Sequence, residues 1–331
     1  MTAPRVPIID LDPFFHDGEK GLAFVAEEVR KACEDTGFLV VKNHGMSEDL
    51  QKRVIASSID FFDRPVEEKL KCSDPVSPLL GFNRIGTQRL AYSRGEDSAP
   101  DLVETFSLGE SNVDLTDPYY SSPAGRAAFP PNIWPPKPAR LKNDLEEYFI
   151  AATRLSSSML EIFATALHMP RYYFSTKIDK SMSLLRVNNY PRVSTPPLEG
   201  QSRVGAHTDY GMLTIVLPTM PGLQVERENH WEDVPFMPGS LQINIGDLMS
   251  QWTNDRWKST MHKVPPGSVT TERRMSVAFF MQGNYDTLVE PLPTCIDAEH
   301  PRKYEPITAG DHLFSKINRQ FSISDKIEKV L

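Results

Sequence analysis

The stretch "MLTIVLPTMPGLQVERENHWEDVP", residues 212–235, decides the fold. It holds three short runs, MLTIVL, LQVER and HWEDVP, separated by Pro221-Gly222 and Glu228-Asn229, residue pairs that turn a chain. Apolar runs this short and this closely spaced suit strands, because helices need roughly ten residues or more. The same texture continues on both sides. LLRVNNY (184–190) precedes it, and SLQINIGD (240–247), STMHKV (259–264) and RMSVAFFM (274–281) follow, with another turn at Asn254-Asp255. Such a series predicts a barrel or double-sheet jelly roll.

The amino-terminal part reads as mixed α and β. VPIIDL (6–11) is a strand candidate, and Leu22, Val25, Ala26, Val29, Ala32 and Cys33 recur at helical spacing up to Thr36, before the helix-ending Gly37. FLVVKNHG (38–45) follows as a strand. Ser47 then opens a helix through Leu50, Val54, Ile55, Ile59 and Phe62, stopped near Pro65. From Asp74 to Pro138 prolines, glycines and serines dominate, ending in "FPPNIWPPKP" (129–138), and the expectation is ordered loops. "ARLKNDLEEYFIAATRLSSSMLEIFATALHM" (139–169) is the longest helical pattern, its aromatic and Met stripe serving packing. "DHLFSKINRQFS" (311–322) reads as a closing helix.

The division that follows is an amino-terminal region with its loop-rich segment (1–138), a long core helix and connector (139–179), a jelly-roll core (180–290), and a tail with the closing helix (291–331). The class is α+β: a double-stranded β-helix, jelly-roll or cupin-like, with flanking helices and an α/β amino-terminal region.

Composition narrows the partners. The chain has 331 residues, 40% hydrophobic and 24% charged, enough for a sizeable buried core. Its net charge of -8 and pI near 5.6 give no basic field for nucleic acid or an anionic membrane. Cys33, Cys72 and Cys295 are odd in number and far apart, which argues against a disulfide framework and for a reducing compartment. The start "MTAPRVPIID" lacks a signal-peptide pattern, and no run approaches about 18 apolar residues. A cytoplasmic protein, monomer or weak homodimer, acting on a small molecule is the expectation.

The chemistry starts at "AHTDYGML" (206–213). On extended backbone His207 and Asp209, at i and i+2, leave the same face and can share one ion. His262, in "WKSTMHKVPPG" (257–267), ends another strand candidate that a double sheet can return beside them. Two imidazoles and a carboxylate on one side of an octahedral ion leave about three positions open, the facial arrangement of non-haem Fe(II) oxygenases; zinc settles for a tetrahedral site with one. Arg274 and Ser276 again stand at i and i+2, on an apolar strand, where a buried guanidinium needs an anion and its planar fork fits a carboxylate. Asn188 and Tyr190 in "RVNNYP" (186–191) offer an amide and a phenol with the same spacing. A diacid that chelates a metal at one end and meets Arg274 at the other satisfies all three pairs.

"HTDYGMLTIV", His262, "RMSVAFF", "NNYP" and the upstream "CEDTGFLVVKNHG" together closely resemble the isopenicillin N synthase-like branch of the Fe(II)/2-oxoglutarate-dependent dioxygenases, over roughly residues 6 to 320. The resemblance implies Fe(II) on His207, Asp209 and His262, and 2-oxoglutarate gripped by Arg274 and Ser276 with Asn188 and Tyr190 beside it. It further implies O2 as oxidant, ascorbate as a supporting reductant, and hydroxylation, desaturation or ring closure of a small molecule of specialised metabolism. Isopenicillin N synthase itself consumes no 2-oxoglutarate, so an oxidase without that cosubstrate is a second reading, and a non-catalytic metal-binding sensor or scaffold a third; succinate release separates the first two. By family position the substrate pocket is expected from Phe106, Leu184, Phe280, Gln282, Phe314 and Phe321, with Arg84, Arg89 and Tyr92 as polar anchors, the arginines hinting at a carboxylate-bearing substrate. Gln242 stands where the family usually has an apolar residue and is read equally well as inward or outward.

Overall fold

The computed structural model describes residues 6–74, 79–87, 99–136, 139–192, 197–198, 200–266 and 272–328. In chain order the strands are β1 (Ile8–Asp10), β2 (Phe38–Lys42), β3 (Gly81–Asn83), β4 (Glu104–Gly109), β5 (Leu184–Tyr190), β6 (Val204–His207), β7 (Leu213–Pro218), β8 (Gln224–Arg227), β9 (His230–Asp233), β10 (Leu241–Ile245), β11 (His262–Val264), β12 (Arg274–Met281), β13 (Leu288–Val289) and β14 (Ile307–Thr308). Eight form one sheet in the order β1-β2-β10-β7-β12-β5-β4-β3, and four form a second, β6-β11-β8-β9. The pair β13-β14 stands apart. Phe38, Val40 and Tyr190 of the large sheet pack with Val204, Val225 and Val264 of the small one, so the two sheets close face to face as a jelly roll.

Period-2 alternation sorts every strand of the large sheet. Leu39, Val41, Leu185, Val187, Leu213, Ile215, Leu241, Ile243, Met275, Val277 and Phe279 join the main apolar cluster with the helices Gly18–Asp35, Glu48–Phe62 and Ala139–Ala166. Phe149 of the long helix meets Phe279 of β12 edge to face, 5.1 Å between ring centres. The alternate residues turn inward: Arg186, Asn188 and Tyr190 on β5, and Arg274, Ser276, Ala278 and Phe280 on β12. The polar residues that looked expensive on apolar strands all stand on this second face.

Local chemistry sets the ends. The Ser47 hydroxyl accepts from the Leu50 amide and caps the helix Glu48–Phe62. Gly37, at φ +69°, follows the helix Gly18–Asp35, and a Cβ there would lie 1.9 Å from the Lys258 carbonyl oxygen. Glu228 and Asn229 both hold positive φ in the two-residue turn between β8 and β9, the geometry that matches the twist of a hairpin.

Two expectations change. The segment from Asp74 to Pro138 was expected to be loops, but β3 and β4 lie in it and extend the large sheet beyond β5, with Phe106 opposite Val187. Glu104, Phe106 and Leu108 alternate with Thr105 and Ser107 as a strand requires, a signal hidden among the flanking prolines and glycines. β1 and β2 belong to this sheet as well. β6, only four residues long and containing Gly205, has too little apolar pattern to be read, yet it carries His207.

Candidate active site

His207 ends β6 and His262 begins β11, directly opposite each other in the antiparallel ladder. Each ring is oriented by the carbonyl two residues before it: His207 Nδ1 meets the Gly205 carbonyl at 2.8 Å and His262 Nδ1 the Thr260 carbonyl at 3.1 Å. A carbonyl only accepts, so each Nδ1 carries the proton and each Nε2 is free as a ligand atom. Both Nε2 atoms point at Asp209, 3.8 Å from Oδ1 and Oδ2 respectively. Asp209 lies just past the end of β6, in the turn leading to β7. The ligand atoms of the three residues lie within 4.8 Å of one another.

The surroundings hold these groups in metal-binding form. Asp209 Oδ2 accepts from Thr214 Oγ1 at 2.6 Å and from Asn244 Nδ2 at 2.7 Å. Burial works against its charge, but His262, His207 and these two donors outweigh it and hold the carboxyl below its usual range. Burial, reinforced by the neighbouring His262, pushes His207 down to about 4, which keeps it neutral. The turn is clamped from behind: the Asp247 amide donates to the Asp209 carbonyl at 2.7 Å, and a Cβ on Gly246 would lie 2.3 Å from the Gly211 oxygen. Only glycine lets the two backbones approach so closely. Asp247 itself accepts from Ser259 at 2.6 Å, Lys316 at 2.7 Å and Thr208 at 3.3 Å, tying both ligand segments to the helix Ala309–Glu328.

The inner face of β5 and β12 carries the second set. Arg274 stands opposite Tyr190 and Ser276 opposite Asn188. Asn188 Nδ2 donates to Ser276 Oγ at 3.3 Å, and the Tyr190 hydroxyl lies 3.5 Å from the same oxygen. The Arg274 guanidinium lies 4.8 Å from the Tyr190 ring centre, and its Nε and Nη1 are buried without hydrogen-bond partners. A charge kept there calls for an anion. These four residues and the three of the metal cluster line one cavity of about 70 Å³.

A larger cavity of about 180 Å³ shares His207 and Asp209 with it. Of the residues expected to bind substrate, Leu184, Phe280, Gln282 and Phe314 line it. Phe106 does not: on β4 it takes the helix-facing side, packed on Phe61 and Trp134. Arg84 is exposed and absent from its lining. Arg89, Tyr92 and the side chain of Phe321 lie outside the described residues. Gln242 faces inward and is buried, but Nε2 is spent on the Pro235 carbonyl at 3.1 Å. Sequence reasoning missed Arg186 and Tyr210, which line the larger cavity. Arg186 continues the inward i, i+2 series of Asn188 and Tyr190, which was the available signal.

Two family models match in tandem: the amino-terminal domain of non-haem dioxygenases in morphine synthesis over residues 6–137, and the 2OG-Fe(II) oxygenase superfamily over residues 181–283. The second match spans the His-Asp-His cluster and the buried arginine. The chain belongs to the 2OG-Fe(II) oxygenase superfamily. This oxygenase is 31% identical to the 2-oxoglutarate-Fe(II) type oxidoreductase hxnY of Emericella nidulans, covering 100% of this chain and 94% of that protein. It is 32% identical to an Arabidopsis thaliana homoarginine-6-hydroxylase, over 96% and 89%, and 31% identical to validamycin A dioxygenase of Streptomyces hygroscopicus subsp. limoneus, over 87% and 79%. Among solved structures, a full-length Neurospora crassa protein in complex with alpha-KG superposes with a TM-score of 0.81 at 27% identity, over 94% and 95%. The chain is an Fe(II)- and 2-oxoglutarate-dependent dioxygenase, with a donor set of two imidazoles and one carboxylate that fits Fe(II).

Proposed function

We propose that this oxygenase hydroxylates a small organic molecule of specialised metabolism, with Fe(II) held by His207, Asp209 and His262 and 2-oxoglutarate held by Arg274, Ser276, Asn188 and Tyr190. The observation that carries the reading is the buried Arg274, whose Nε and Nη1 have no partner and whose guanidinium lies 4.8 Å from the Tyr190 ring centre. An arginine so placed is satisfied by a carboxylate taken bidentately. When bound, the iron and keto acid supply the oxidising power: O2 decarboxylates 2-oxoglutarate to succinate and CO2, and a C–H bond of the substrate is oxidised.

The residues of this chain position and exclude. Arg274 and Ser276 would hold the far carboxylate of the cosubstrate, with Asn188 and Tyr190 beside them. The Nδ1 bonds to Gly205 and Thr260 keep both imidazoles in the tautomer that binds metal. Phe280 and Leu184 exclude water on the substrate side, which protects the oxidising centre from side reactions. Whether a hydroxyl is added, or a second hydrogen lost in desaturation or ring closure, depends on how the larger cavity places the substrate. Relatives named for homoarginine and validamycin support the small-molecule reading. An acidic chain with no helix, among the described residues, long and apolar enough to cross a membrane supports neither nucleic acid nor membrane as partner.

The test supplies purified protein with Fe(II), 2-oxoglutarate and a metabolite library under O2, followed by mass spectrometry. Succinate formation with a product one oxygen heavier is the expected result. Metal binding with no succinate under any condition refutes the reading.

A further inference from the structure

We propose that Arg186 anchors an acidic group of the substrate, so that this oxygenase takes a small organic acid with an apolar body; the inference rests on the oxygenase reading above. The inner face of the large sheet carries two arginines. Arg274 stands opposite Tyr190, and Arg186 opposite Ala278. Ala278 lies four positions along β12 from Arg274, so the two arginines leave the sheet about 13 Å apart at ~3.3 Å per residue. Arg274 borders only the smaller cavity, whereas Arg186 borders both and is the one arginine or lysine, among the described residues, that lines the larger.

Arg186 is underused by its surroundings. Its Nε donates to the neutral Ser107 hydroxyl at 3.1 Å, and its guanidinium lies 5.8 Å from the Phe280 ring centre. Among the described residues no carboxylate forms an ion pair with it; Asp209 favours its charge from a distance, but that carboxylate is engaged by Thr214, Asn244 and the metal position. Burial disfavours the charged form, yet a guanidinium does not give up its proton at neutral pH. A half-buried cation that lines the cavity next to an oxidising centre and has only a neutral hydroxyl as partner calls for an anion from outside. The cosubstrate is not that anion, because Arg274 takes one of its carboxylates and the metal position the other end.

The cavity describes the rest of the molecule. Phe129, Met182, Leu184, Leu313 and Phe314 make its walls apolar. Its volume of about 180 Å³ compares with roughly 150 Å³ for a cavity that holds benzene, so one ring with a few further atoms fits. Glu110, the acid of this cavity besides Asp209, follows Ser107 by three positions, roughly 10 Å along the chain. An organic acid is therefore attracted at the Arg186 end and repelled at the other, which sets its direction of entry.

The test uses the full chain loaded anaerobically with Fe(II) and 2-oxoglutarate and titrated with matched pairs: benzoate against benzamide, and cyclohexanecarboxylate against cyclohexanecarboxamide. Binding is read by ligand-observed NMR and by the visible absorption of the loaded centre. The expected result is an acid bound about tenfold or more tighter than its amide, a preference lost in Arg186→Met and partly kept in Arg186→Lys. Affinity for 2-oxoglutarate changes less than about twofold in both variants. Equal binding of acid and amide in the wild type overturns the proposal, whether or not the variants fold. So does a preference that survives in folded Arg186→Met, or a loss of 2-oxoglutarate affinity as large as the loss for the acid, which places Arg186 on the cosubstrate. Wild-type protein that develops no absorption with Fe(II) and 2-oxoglutarate fails the oxygenase reading instead.

Discussion

His207 and His262 are register partners across the β6-β11 ladder, their ring centres 4.3 Å apart. Residues far apart in the chain are thereby delivered to one point by backbone pairing, and the carboxylate between them is the adjustable element. Asp209 is steered by Thr214 and Asn244, one from β7 and one from β10. Asn244→Leu leaves the ligand in place but frees its orientation. The expected loss is about 10- to 100-fold in Fe(II) affinity, measured by metal titration under anaerobic conditions, whereas Asp209→Ala abolishes turnover altogether. An Asn244→Leu protein with unchanged metal affinity contradicts the role given to that amide.

Arg274→Leu separates the two cofactors. The distal carboxylate loses a charged partner worth about 1.5–3 kcal/mol, which is about 10- to 100-fold in the dissociation constant of 2-oxoglutarate, while Fe(II) binding is spared. Arg274→Lys recovers part of this, since an ammonium keeps the charge but not the planar fork. Parallel titrations of Fe(II) and 2-oxoglutarate check the split; iron affinity falling with that of the keto acid counts against it.

Much of this arrangement was legible because strands obey period 2. The i, i+2 pairs Asn188/Tyr190 and Arg274/Ser276 were readable as one face, and that face is where the sheet puts them. Asp209 is the exception in kind, since it lies past its strand and reaches the site through a turn. What stayed hidden was hidden for physical reasons. β6 is too short to show a pattern, and β4 is surrounded by loop-forming residues. The side of the sheet on which Phe106 stands depends on the register of β4 against β5, a long-range pairing that local sequence does not encode. Arg186 was within reach, one step further along a series already recognised.

Asp247 links three segments through one carboxylate, and its loss loosens all of them. Asp247→Ala removes partners of Thr208, Ser259 and Lys316, leaving the two ligand strands and the helix Ala309–Glu328 without their common tie. Fe(II) affinity falls about tenfold, and amide hydrogen exchange accelerates at the start of that helix. Lys316→Met breaks only the tie to the helix, so it accelerates the same exchange while sparing the metal. If both variants affect metal binding equally, Asp247 does not act on the ligand strands directly.

Acid acts on two histidines away from the metal. His44 accepts from the Met46 amide at Nδ1, 3.2 Å, and meets the Gly239 carbonyl at Nε2, 2.9 Å, which requires the neutral ring. Burial holds its pKa below the ordinary value, against the pull of the Gly239 bond. His312 is likewise lowered by burial and then by Lys316, with Asp247 and the Tyr210 carbonyl opposing. The unfolded chain takes up protons near pH 6.5 that the folded chain refuses, so this stability is complete above 6.5 and is lost as pH falls from there through the lower pKa values of the folded rings. Denaturant unfolding of metal-free protein between pH 7.5 and 5.5 measures the loss, and His44→Gln reduces it. A slope unchanged by that substitution removes His44 from the account.

The buried pair Lys69–Glu104 fixes the start of β4 in the large sheet. Lys69 Nζ donates to Glu104 Oε2 at 2.8 Å and to the Phe62 carbonyl at 2.9 Å, and Asn189 Nδ2 donates to Glu104 Oε1 at 2.7 Å. With side-chain exposures of 8% and 10%, neither charge has water to fall back on. Lys69→Met strands the carboxylate of β4 against β5 and costs about 3–5 kcal/mol, read as a lowered denaturant midpoint. The double variant Lys69→Met with Glu104→Gln restores much of the loss, because the amide keeps its bond from Asn189 without an unpaired charge. A single variant as stable as the wild type means that β4 is held in the sheet by Phe106 and Leu108 packing alone.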